Sequence, residues 1–98
     1  MNEARYGHSQ CVLGEFVFVF FGRREAMTPS SACNTIEYLN ISNVINSRAA
    51  NWSLIELQTD IQARYLTLAT QIDDNEIAIL GGLDKNANYL GEVLHFDA

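Results

Sequence analysis

At 98 residues the chain holds one small domain at most, too short for a large private core. Hydrophobic residues make up 48% of it and charged residues 18%, an ordinary globular composition that excludes a disordered tail. Its 12 acidic and 6 basic residues give a formal charge of -6, and no basic run exceeds two residues, which argues against binding along a nucleic-acid backbone.

Residues 7–13 end in Gly14-Glu15, a turn signal, and 16–21 are then aromatic or β-branched at every position, which predicts strand, turn, strand. An apolar run on both faces implies a strand covered on both sides, and six residues closed by Gly22 are too few for a helix. Residues 23–31 hold Pro29, the only proline, among Thr28, Ser30 and Ser31, and read as a connecting loop. A third strand is predicted over 34–41, a polar, turn-rich stretch over 42–51, and a fourth strand from Trp52 to Leu57.

The pattern then begins again. A strand is predicted over 63–69, a turn at Asp73-Asp74-Asn75, an apolar strand from Glu76 into Gly81-Gly82, a polar loop over 83–89 and a further strand over 91–97. Arg5 and Arg64 stand 59 residues apart, Gly22 and Gly82 60, and Ile36 and Val93 57, so the register differs only within loops. A period of this length points to stacked supersecondary units.

An arginine opening a strand, a hairpin, an apolar strand closing on Gly-Gly, a polar loop, a strand ending in a hydrophobic-Asp pair, then a tryptophan: this order resembles the Kelch repeat over essentially the whole chain. Arg64, Gly81-Gly82 and Trp52 match the family pattern directly. In the first unit Phe21 stands where the family has its first glycine, Leu39 and Phe96 stand where it has a tyrosine, and the interval from Leu39 to Trp52 is longer than usual. The resemblance implies an all-β partial Kelch-type β-propeller, with residues 1–57 as one four-stranded blade and 58–98 as three strands of a second. Closed propellers have about 4–8 blades, so the expected chain is a piece of a larger propeller, or it completes a ring with copies of itself or beneath a covering partner.

Chemistry is sparse. His8 and His95 lie far apart with no ligand-spaced neighbour, so no metal site is expected. Asp73, Asp74 and Glu76 read as a solvated hairpin tip. No activated nucleophile is apparent, and Gly81-Gly82-Leu83-Asp84-Lys85 lacks phosphate-loop spacing. The expectation is a non-catalytic protein without a cofactor.

In the Kelch family, loops on one face of the propeller contact peptide ligands. The resemblance places Arg23, Arg24, Asp84 and Lys85 on that face, with Arg5-Tyr6 and Arg64-Tyr65 at strand starts; Arg and Tyr are types enriched at interface hot spots. The expected partner is another protein offering an acidic segment, and neither nucleic acid nor membrane. The competing reading of Arg5 and Arg64 is that they anchor strand starts to nearby carbonyls. A second function class is a structural subunit whose blade faces are permanently buried in a larger assembly, and a third is a fragment of a propeller enzyme.

Met1-Asn2-Glu3-Ala4-Arg5 carries an acid and no apolar stretch behind it, unlike a secretory signal, and the longest apolar run of six residues is far short of a membrane span. Cys11 and Cys33 fit no disulfide framework or metal knuckle and read as thiols in a reducing compartment, hence a cytoplasmic setting. The sequons at Asn40 and Asn51 carry weight only in a secreted chain.

Overall fold

The gap between Leu13 and Phe16 is filled by Gly14-Glu15, with Gly14 at a positive φ of 60°, and this tight turn folds two apolar strands against each other. In the computed structural model, which describes residues 4–25, 28–42, 52–57 and 61–97, β1 (Ser9–Leu13) and β2 (Phe16–Phe20) pair antiparallel. β3 (Thr35–Asn40) and β4 (Ser53–Glu56) extend the sheet in the order β1-β2-β3-β4. A second antiparallel sheet follows, β5 (Leu68–Gln71), β6 (Glu76–Leu80) and β7 (Val93–Asp97), again in chain order. The protein is therefore all-β, a four-stranded meander followed by a three-stranded one. Between β2 and β3 the connection holds one turn of 3-10 helix, Pro29–Ser31.

The polar stretch expected over 42–51 lies, from 43 to 51, outside the described residues, as do 58–60 and the first three residues. The strand expected over 63–69 instead starts at Leu68. The reason is that Arg64 and Tyr65 pair outward: Arg64 bridges to Cys33 and Tyr65 to Leu83, after which Leu66 turns the chain at a φ of 57°. Gly7 does the same before β1 at 65°.

Backbone geometry repeats at the offset seen in the sequence. Tyr6 exchanges hydrogen bonds with Arg23 at 2.8 and 2.7 Å, and Tyr65 with Leu83 at 3.0 and 2.9 Å. Phe21 and Gly81 both have positive φ, 57° and 64°, followed by Gly22 and Gly82, both at 103°. Only glycine adopts the last conformation at little cost, and a Cβ on Gly82 would meet Thr67 Cγ2 at 2.7 Å.

Alternation assigns each sheet two faces. Residues directly opposite one another across an antiparallel pair share a face. Leu13, Phe18, Phe20 and Ile36 lie on the face of the first sheet that meets the second, which answers with Ile77, Ile79 and Phe96. Phe96 stands edge-on to Phe18 and Phe20, with centroids 5.1 and 5.4 Å away, a preferred aromatic arrangement. Between the innermost strands Ser9 Oγ and Thr67 Oγ1 share a 2.8 Å hydrogen bond. The backbone seam adds Leu66 N–H to the Gly7 carbonyl at 2.7 Å and Gly22 N–H to the Arg64 carbonyl at 2.9 Å.

Candidate functional site

The bridges that follow β2 and β6 place equivalent connections side by side. Cys33 N–H donates to the Gly22 carbonyl at 2.8 Å and Arg64 N–H donates to the Cys33 carbonyl at 3.0 Å, so the β2–β3 connection is tied to the segment entering the second unit. On the other flank Leu83 is held to Tyr65, and Asp84 caps its own loop: its Oδ1 accepts from the N–H groups of Asn86 and Asn88 at 2.8 and 3.0 Å. This is the local turn chemistry for which Asp is favoured.

Between the two connections lies an open cleft of about 490 Å³. Arg24, Cys33 and Asn34 line it from the first unit, residues 61–63 from the link, and Asp84 and Lys85 from the second unit. Polar and apolar atoms line it in about equal measure. Arg24 and Lys85 against the single carboxylate of Asp84 give the lining one positive charge on balance.

Of the eight residues singled out from the sequence, Arg24, Asp84 and Lys85 thus meet at one cleft. The other five lie elsewhere. Arg5 is buried: Nη1 donates to the carbonyls of Phe21 and Thr35 at 2.7 and 3.1 Å, Nη2 to Thr35 Oγ1 at 2.8 Å, and Nε to Glu37 Oε2 at 3.1 Å. Arg64 is fully buried, donating from Nε to the Gln62 carbonyl at 3.1 Å and from Nη2 to Glu92, with its guanidinium 5.3 Å from the Phe21 ring centre. Arg23 lies over the ring of buried Tyr65, 4.6 Å from its centre, a cation–π pair spanning the two units. Tyr6 is exposed and joins Arg23 through its backbone.

Arg23 Nε and Arg64 Nη1 are buried atoms without a hydrogen-bond partner in the structure. Both belong to guanidinium groups resting on aromatic rings, whose negative faces offset part of the desolvation cost. Cys33, Asn34 and the 61–63 segment escape a reading by local motif, because only the Cys33–Arg64 bridge brings them to the cleft.

Cys11 and Cys33 form no disulfide, and burial pushes the Cys11 thiol above its ordinary pKa. Among the described residues no group of three or more His, Cys, Asp or Glu side chains is placed to hold a metal ion, and no helix is long and apolar enough to cross a membrane. No protein-family model matches the chain, and no curated protein matches it.

Proposed function

We propose that the chain is a non-catalytic protein-interaction module, a Kelch-like partial propeller that receives an acidic peptide segment of another protein in the cleft between its two units. One observation carries this reading: equivalent connections of successive units deliver Arg24 and Lys85 to the same cleft of about 490 Å³. A guanidinium and an ammonium flanking a groove of mixed polarity suit carboxylates, the guanidinium by a two-pronged hydrogen bond. The net charge of -6 opposes long-range capture of an acidic ligand, so recognition there is short-ranged. Arg64 holds the Gln62 carbonyl of the cleft lining and Arg5 the carbonyls of Phe21 and Thr35, both as parts of the frame. Two cysteines outside any disulfide accord with a reducing, cytoplasmic setting.

The test is a titration of the ¹⁵N-labelled chain with a glutamate-rich peptide, read by amide shifts. Perturbations centred on 24–34 and 84–88, absent with a lysine-rich peptide and abolished by Arg24→Glu with Lys85→Glu, are expected. Shifts confined to other surfaces, or unchanged in the double variant, would show the cleft to be the wrong face.

A structural-subunit role is the second reading, supported by the apolar side chains Leu68, Ile72 and Val93 exposed on the second sheet.

A further inference from the structure

The two sheets are equivalent in sequence and backbone, yet equivalent positions differ sharply in exposure. Leu13 is 5% exposed and its counterpart Ile72 51%; Ile36 is 2% exposed and Val93 48%; Ala32 is 7% exposed and Tyr89 91%. Leu13 and Ile36 belong to the face of the first sheet that the second sheet covers. The corresponding face of the second sheet, with Leu68, Leu80 and Val93 in one row and Ile72 near its hairpin end, has no such cover within the described residues.

The converse holds at the other side of the molecule. Ile77, Ile79, Leu94 and Phe96 form the covering face of the second sheet. Their positions on the first sheet are taken by Val19 and Glu37, already buried, and by half-buried Val17 and Leu39, joined by Val12 and Leu54, both exposed. Each outer face thus repeats one half of the interface that the chain forms within itself.

We infer that the outer face of the second sheet binds a second copy of this chain through the outer face of that copy's first sheet, continuing the internal interface from one molecule to the next. Charge selects this pairing over two second-sheet faces meeting each other. The second-sheet face carries Glu76, His95 and Asp97 toward its hairpin end, and self-apposition would bring its acids together. On the first-sheet face Glu37 is fully buried and paired with Arg5, and the exposed Glu56 stands opposite Thr35 at the end of the strands away from the hairpin, so the acids at the hairpin end of the second sheet meet the neutral Val12, Val17 and Leu39 surface. At the seam Gly82, with the φ of 103° shared by Gly22, directs its N–H toward the carbonyl of Arg5 in the second copy, as Gly22 does to Arg64 within the chain.

Such a contact joins different patches on the two molecules, so it propagates until it closes. With two sheets from each chain and rings of about 4–8 sheets, closure takes about two to four copies.

Light scattering of the full 98-residue chain over a wide concentration range tests this. A mass rising to a fixed multiple of the monomer is expected. Val93→Glu and Val12→Glu should each give monomers, and an equimolar mixture of the two should give a 1:1 heterodimer, because each supplies the face the other has lost. Circular dichroism must show that both variants keep their β structure; should Val93→Glu unfold, Leu68→Glu probes the same face. A chain that stays monomeric at every concentration, or a Val12→Glu variant that assembles like the parent, overturns the inference. Arg24→Glu leaves the mass unchanged, so failure of the cleft and failure of the assembly are separate results.

Discussion

Arg5 and Glu37 form an ion pair, Nε to Oε2 3.1 Å, in which neither side chain reaches solvent. The second unit keeps the arginine and moves the acid: Arg64 meets Glu92, whose side chain is half exposed and whose place corresponds to Thr35 of the first unit. Glu37 is enclosed with Arg5 on the face of the first sheet turned away from the second, whereas the side chain of Glu92 stays open to water. Two copies of one pattern therefore place similar charges in very different dielectric surroundings.

The two acids should consequently differ in what their neutralisation costs. Glu37→Gln leaves Arg5 as a buried charge without its counter-ion and should destabilise the fold by about 3 kcal/mol. Glu92→Gln, with water at hand, should cost under about 1 kcal/mol. Urea unfolding midpoints of the two variants would separate them; equal losses would contradict the burial difference.

Backbone conformation makes a second contrast. At φ 103° and with Thr67 Cγ2 and the Tyr65 carbonyl 2.7 and 3.0 Å from a new Cβ, Gly82→Ala combines strain with overlap and should cost about 2–3 kcal/mol. Leu66 is exposed at φ 57°, where the equivalent residue is Gly7. Leu66→Gly should therefore be neutral or stabilising by up to about 1 kcal/mol. Thermal melts of the two variants would show opposite shifts.

Phe96 joins the sheets through its edge-on contacts with Phe18 and Phe20. Phe96→Ala should lower stability by about 3 kcal/mol, the lower end for a truncated aromatic because the ring is only partly buried. Hydrogen exchange should record the loss in β2 and β6 together. Protection lost in β6 alone would mean that the sheets do not stabilise each other.

Cys11 sits beside Phe18 across the β1–β2 pair, and desolvation raises its thiol pKa. The folded state therefore favours the neutral thiol. Its contribution to stability is present below the unfolded thiol's pKa of about 8.5 and is lost as pH rises through the higher folded value. Alkylation by iodoacetamide should follow the same curve, slower at pH 8 than for a thiol in the urea-unfolded chain. Equal rates in both states would remove the argument.

Strands and turns were legible in the sequence because their causes are local. Gly14-Glu15 and Asp73-Asp74-Asn75 turn the chain wherever they stand, and the apolar runs beside them have the period and composition of strands. The start of β5 was not, since Arg64 and Tyr65 are drawn out of the strand by Cys33 and Leu83, partners 31 residues before and 18 after. The cleft was legible in part. Arg24, Asp84 and Lys85 follow the corners at Phe21-Gly22 and Gly81-Gly82 that end β2 and β6, but Cys33, Asn34 and 61–63 reach it only through long-range pairing.

By itself the sequence determined the all-β class, the repeat and the positions of its corners, because two-residue alternation and turn chemistry act over a few neighbouring residues. Only the tertiary structure decided that Arg5 and Glu37 are buried together, that Arg64 is enclosed while Glu92 is not, and that Ile36 is core while Val93 is surface. Periodicity says which residues share a face of a sheet; what lies against that face depends on chain far away in sequence. The same strand pattern is thus interior in one unit and exposed surface in the next.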